Sequence, residues 1–307
     1  SFFHLKFESN RVINTQSAIK KQYHSIQALL ATNKHSQVAI GKHCFKPTKC
    51  DFFKTCWKID SPNIFDCVEY SFLKKLDFFK QNIISFNSIK DHVPDLSERQ
   101  LIQLNAELSQ KPYVDHQALQ KFFQKLIFPV QCLDIEVITN TLPIIDSFKT
   151  FEKVPFLFSL HTLSDFNSDS IHTDFFTPVN KYTLRLFAEA LVRSLDKNAS
   201  IIVYDSMLEN IIFEQLSVAC PDLKEDLIQL KHHIIDISTL FKSYKVYTPG
   251  MLGKFSLKAI HGSINKTHNH QLLDLKSGSD ALHKIKLYLQ SDKQRQQVLE
   301  KELRDYC

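Results

Sequence analysis

In the stretch PVQCLDIEVIT (Pro129 to Thr139), Asp134 and Glu136 stand one residue apart inside an apolar run. Residues i and i+2 of a β-strand leave the same face, so a strand here sends both carboxylates out together. Two neighbouring anions repel unless a metal, a proton or a cation lies between them. The pair is therefore either an edge-strand solubility device or half of a metal site. A second pair, Asp205 and Glu209, follows the apolar run IIVY at i, i+4 spacing, and Asp236 closes another apolar run in KHHIID. Ligands of α/β sheets gather beyond the carboxyl ends of parallel strands, which is where Glu209 would approach Asp134 and Glu136. Hard divalent cations take carboxylate oxygens. Two such ions about 4 Å apart activate a water and stabilise the leaving oxygen of a phosphodiester. Each acid also has a structural reading. Ser206-x-x-Glu209 fits a capping box, Asp205 fits the N-cap of the same helix, and Asp236 fits a strand terminus.

The elements that would position these acids follow from periodicity. FPVQCLDIEVI, VPFLFSLHTL and ASIIVYD are β-branched and aromatic runs of strand length. Leu184, Phe187, Leu191 and Leu195 share one helical face, as do Leu208, Ile212 and Leu216. Strands followed by helices predict an α/β sheet with its own core from about residue 126. Upstream, Ile19, Tyr23, Ile26 and Leu30 predict an early helix, and residues 61–125 read as mostly helical. Asp95 or Ser97 would cap a helix through Leu101, Leu104 and Leu108, and residues 109–117 read as the end of a linker. The last segment, helical and polar-rich, puts Leu299, Leu303 and Tyr306 on one face.

With 307 residues, 43% of them hydrophobic, the chain can bury one large core or two ordinary ones. No apolar run is long enough for a membrane span, no export signal is legible, and no glycine-rich phosphate loop occurs among only 5 glycines. Ser1 in place of an initiator methionine predicts a chain that starts inside a longer protein. A net charge of +5 suits a polyanionic partner, as it does many proteins without one. Seven cysteines, an odd number, predict a reducing, cytoplasmic setting and either metal ligation or simple burial of the thiols.

The line FPVQCLDIEVITNTLPIIDSFKTFEKVPFLFSLHTL resembles the opening of the DnaQ-like exonuclease domain in a bacterial family of uncharacterised proteins. NASIIVYDSMLENIIFEQLSVACPDL, HHIIDISTLF and MLGKFSLKAI resemble its later blocks. IGKHCFKPTKCDFFKTCWKIDSPNIFDCV resembles the tail of the iron–sulfur RecB-like nuclease domain that precedes it there. The resemblance implies a ribonuclease-H-like mixed sheet with flanking helices, preceded by a mainly helical, cysteine-bearing region. It implies a cysteine-bearing remnant over 1–70, a helical connector over 71–125 and the exonuclease domain over 126–307. The implied activity is 3′–5′ hydrolysis of DNA or RNA with two Mg²⁺ or Mn²⁺ ions held by Asp134, Glu136 and Glu209. Tyr306 would orient the attacking water, and Asp205 and His161 would meet substrate. The sequence departs from the family text at Ile135, Val137, Asp205 and Leu208. The aspartate of the final Tyr-x-x-x-Asp motif would fall past Cys307. These departures make an inactive module that binds nucleic acid or a protein partner the alternative expectation.

Cys44, Cys50 and Cys56, at C-x5-C-x5-C spacing, suit a loop around a [4Fe–4S] cluster or zinc, with Cys67 or His43 as substitutes for a distant fourth ligand. The opposing reading is three reduced, partly buried thiols. His268 and His270 either bind a metal or occupy a polar loop. Lys231, His232 and His233 either meet phosphate or solvate a helix end. Phe175 and Phe176 either stack on a terminal base or fill the core.

Overall fold

The structure is a computed structural model that describes residues 6–32, 39–46, 48–143, 148–265 and 278–306, with Lys54, Ser279 and Tyr306 described in their backbone alone. It divides into two compact units, Ser1–Asp60 and Ser61–Cys307.

The first unit carries α1 (Ser9–Ala31), the helix expected from the Ile19–Leu30 spacing, and none of its residues is buried. A short helix, α2 (Phe53–Cys56), follows in the cysteine segment. Phe45, Phe53 and Trp57 form an aromatic cluster there, with Phe53 and Trp57 stacked at 4.8 Å and Lys49 4.2 Å above Phe53.

The second unit opens with three capped helices: α3 (Phe72–Lys80), α4 (Phe86–His92) and α5 (Glu98–Ser109). Ser71, Ser85 and Ser97 each accept a backbone N–H from the first turn, satisfying donors a helix start leaves open. Ser97, rather than Asp95, takes the cap, and Gln100 completes a capping box. The buried face of α5 differs from the expected leucine stripe. Leu104 is fully buried, whereas Leu101 is 38% exposed, and Gln100, Gln103 and Glu107 go inside instead. They are paid in hydrogen bonds: Gln103 and Gln100 pair with backbone groups of Asp66 and Val68. Glu107 accepts from the Tyr247 hydroxyl and from the amides of Gly250 and Leu252 at 2.9–3.1 Å. A buried carboxylate with three donors is a polar strut for two loops.

The tract read as a linker end is fixed in place. Strand β1 (Tyr113–Val114) leads into α6 (His116–Phe123), whose N-cap is Asp115. The central sheet follows, with β2 (Val130–Ile138), β3 (Val154–Leu163), β4 (Ile171–Phe176) and α7 (Thr183–Ser194). Then come β5 (Ser200–Val203), α8 (Met207–Ala219), α9 (Lys224–His232), β6 (Ile234–Asp236) and α10 (Ser238–Lys242). Strand β7 (Val246–Tyr247) pairs antiparallel with β1, so the tract near residue 113 is hydrogen-bonded to a segment over a hundred residues later. The chain closes with α11 (Leu257–Ile264), α12 (Gly278–Gln290) and α13 (Lys293–Tyr306).

Five strands form one mixed sheet in the order β4-β3-β2-β5-β6. β2 pairs antiparallel with β3 and parallel with β5; β3–β4 is antiparallel and β5–β6 parallel. One face presents Leu133, Ile135, Phe158, Leu160, Ile201 and Val203 to α7, α8 and α9, where Phe187, Leu191, Ile212, Leu216 and Leu230 complete the core. Each fully buried side chain of this kind contributes roughly 1.5–3 kcal/mol through apolar burial. A second cluster joins Ile138, Leu157 and Phe176 to Ile285, Tyr288, Leu299 and Leu303 of α12 and α13. Phe176 is thus a core residue, and Phe175 packs against the first cluster, so neither is a base-stacking platform. The helices of residues 61–125 lie in the same compact unit as the sheet. Among the described residues no helix is long and apolar enough to cross a membrane.

Candidate functional site

Asp134 and Glu136 lie on β2, the central strand, on the face opposite Leu133 and Ile135. The period-two reading therefore holds. Asp134 is paired in register with Ser159 of β3, which is paired with Asp174 of β4; Cys132, His161 and His172 make the next row. The ladder carries a register irregularity between Glu136 and Val137, just past the acids. Asp134 is open to solvent but crowded by protein, and the crowding raises its pKa against the opposing bond from the Ile135 amide. Burial, and then the charge of Asp134, push Glu136 up to about 7.

Glu209 sits in the first turn of α8, 3% exposed, and its Oε2 is buried without a hydrogen-bond partner. Burial pushes its pKa up to about 7; its own amide opposes this, and the charges of Asp134, Asp236 and Asp205 add to it. Asp134 is thus within electrostatic reach of both glutamates. A buried, unpartnered carboxylate is costly, and native structures keep few of them away from functional sites.

The capping box expected from Ser206-x-x-Glu209 does not form, and Asp205 is not the cap. Ser206 is the N-cap residue and makes no side-chain capping bond. Asp236 supplies the acceptor instead: Oδ1 takes the Asp205 amide at 3.0 Å and the Ser238 amide at 2.8 Å, and Oδ2 takes the Ser206 amide at 3.1 Å. Although burial pushes Asp236 up, these bonds hold it below the usual carboxylate range. Asp205 turns the chain with φ +65°, a left-handed conformation that Asp and Asn tolerate better than most residues. Its exposed carboxylate lies 2.8 Å from Lys242 Nζ.

His161 lies on the acids' face and stacks on His172, ring centroids 4.5 Å apart. Burial, then the neighbouring His172, keep it below the ordinary imidazole range. His172 Nε2 is 3.0 Å from Ser159 Oγ. Sequence reasoning missed His172, Ser159 and Lys242. The first belongs to an edge strand whose opening residues, Ile171 to Thr173, are all exposed and give no alternating burial to read.

Three carboxylates with raised pKa values, one of them an orphaned buried oxygen, match in donor type what a hard divalent cation needs. In position they do not yet close: among the described residues no group of three or more His, Cys, Asp or Glu side chains stands ready to hold one metal ion. The same holds for the cysteine block, where Cys44 is buried, Cys50 half-buried and Cys56 exposed. Cys67 is a core residue beside Phe78 and Ile89, its thiol pushed up to about 11 chiefly by burial, with Lys75 opposing. His43 is exposed. His232 is exposed at the end of α9, and Lys231 pairs with Glu214 of α8. His268, His270 and the Tyr306 side chain lie outside the described residues.

Residues 131–256 match a family model whose description is a domain of unknown function (DUF2779). The matched stretch holds Asp134, Glu136, Asp205, Glu209 and Asp236, and neither the cysteine block nor α12 and α13. No curated protein and no solved structure matches the chain.

Proposed function

We propose that the α/β region from residue 126 is a ribonuclease-H-like, DnaQ-like 3′–5′ exonuclease that hydrolyses DNA or RNA with two Mg²⁺ or Mn²⁺ ions held by Asp134, Glu136 and Glu209. The observation that carries this reading is the buried, unpartnered Oε2 of Glu209 within electrostatic reach of a carboxylate pair on the central strand. The mixed five-stranded sheet with its acids on the middle strand supports the fold part of the proposal. When bound, the ions would supply an activated water and positive charge for the leaving oxygen. The chain's own part is to hold the acids in place and to release their protons. Burial pushes Glu136 and Glu209 up to about 7, so protons compete with metal for both carboxylates around neutrality. By the resemblance, Tyr306 at the end of α13 orients the attacking water. By the same resemblance His161, which shares the acids' sheet face, meets the substrate.

A second reading has one observation in its favour: the acids as they stand do not form a three-ligand group. It makes the domain an inactive module that binds nucleic acid or a protein partner. Titration with Mn²⁺ at pH 8, followed by calorimetry, separates the two. The nuclease reading expects saturable binding that Asp134→Asn weakens by at least about tenfold, a loss of roughly 1.4 kcal/mol. Wild-type protein that takes up no Mn²⁺ refutes it.

A further inference from the structure

We infer that Asp236 is a positioning residue for Glu209: from the end of a neighbouring strand it holds the amides of the N-cap residue of α8 and of the residue before it, and so fixes where the third acid stands. This deepens the proposed function and rests on it for the role of Glu209, but the clamp itself is visible without it. A helix start leaves backbone N–H groups open, and a residue at or next to the N-cap ordinarily closes them with its own side chain. Here the local candidates do not. Ser206 makes no capping bond, the Asp205 carboxylate turns outward to Lys242, and Glu209 leaves its Oε2 unpartnered.

The Asp236 carboxylate instead binds the amides that lead into the helix, with one oxygen on the N-cap Ser206 N–H and the other shared by Asp205 and Ser238 N–H. Its negative charge also lies at the positive end of the α8 dipole. The bonds join β6, one of the two edge strands, to the turn that leaves β5, and the Ile237 amide, donating to Val203 O at 3.1 Å, ties the same two segments again. Asp205 holds φ +65° inside this turn, and Glu209 follows four residues on. Releasing the two amides would free the turn and the first coil of α8 together. The strand terminus read from KHHIID is therefore a clamp on the site rather than a ligand in it.

Amide hydrogen exchange and Mn²⁺ titration of the full chain test this, with Asp236→Asn, Asp236→Ala and Lys242→Ala compared. In Asp236→Ala the Asp205 and Ser206 amides are expected to exchange at least about tenfold faster, with core amides of β2 and β3 unchanged. Asp236→Asn keeps one acceptor oxygen and falls between the alanine variant and wild type. Lys242→Ala removes only an exposed ion pair and leaves both amides as they were. Mn²⁺ affinity is expected to fall in the order wild type, Asn, Ala. If the alanine variant does not fold, the asparagine variant carries both readouts. Unchanged exchange of the two amides in the asparagine and alanine variants overturns the clamp. Unchanged Mn²⁺ affinity alongside faster exchange overturns the link to Glu209. Wild-type protein without Mn²⁺ affinity refutes the nuclease reading, and the exchange data then decide the clamp alone.

Discussion

Replacing Glu209 with glutamine is expected to stabilise the metal-free protein at pH 8 while lowering metal-dependent cleavage on the order of a thousandfold. The two effects have one cause. At pH 8 the buried Glu209 carries a charge that folding removes from water, with one oxygen unpartnered. Its pKa of about 7 against an ordinary 4.5 corresponds to about 3 kcal/mol of destabilisation. Glutamine removes the charge but buries an amide, so the expected net gain is about 1–2 kcal/mol. Thermal and urea unfolding in the presence of a chelator measures it. A variant that loses stability at pH 8 would make Glu209 a structural acid and remove the main support for the site.

Metal-free stability is expected to fall as pH rises from about 4.5 to about 7, by about 3–5 kcal/mol in total, and then to level off. Glu136 and Glu209 both titrate about 7 in the folded chain, against about 4.5 when unfolded. Between those values the folded state holds protons that the unfolded state has released. The unfolded state therefore binds fewer protons, and stability declines as pH climbs. Glu136 is only half-buried, so its share is discounted for solvent screening. Asp236 acts in the opposite sense at lower pH: its carboxyl is held below the usual range, and its contribution disappears as pH falls through its folded value. His161, held low by burial and by His172, also opposes the decline near its ordinary pKa. The difference between wild type and Glu209→Gln removes the contribution of His161 and leaves Glu209 with the carboxylates coupled to it. That difference should open above pH 4.5 and reach its plateau above pH 7. Mn²⁺, which competes with protons for the same oxygens, should restore more stability at pH 8 than at pH 5. A difference curve that stays flat across this range contradicts the environment assigned to Glu209.

Much of this architecture is written locally. Asp134 and Glu136 share a face because strands have period two. The apolar runs at 130–138, 154–163 and 200–203 are long enough to be read as strands. The spacings of Phe187 with Leu191 and of Ile212 with Leu216 mark the buried sides of α7 and α8. What stayed hidden depends on partners far along the chain. The polar face of α5 is intelligible only once Asp66, Val68 and Gly250 supply its hydrogen bonds. Strands β1 and β7 are two residues each, and only their pairing makes them strands. Ser206 and Glu209 have the spacing of a capping box, and no local rule announces that an aspartate 30 residues later displaces it. Phe175 and Phe176 read more readily as core than as a stacking platform, and β4, an edge strand packed beside β3, puts both into the core clusters. The consequence for the site is specific: the acids were legible, and the device that places one of them was not.

The most direct measurement is the fate of a 5′-labelled single-stranded oligonucleotide incubated at pH 8 with Mg²⁺ or Mn²⁺, with wild type and Asp134→Ala in parallel. A ladder that shortens from the 3′ end with wild type and is absent with the variant is the expected result. An oligonucleotide left intact by both, and bound equally well by both, would contradict it and leave a binding module that never uses Asp134 for chemistry.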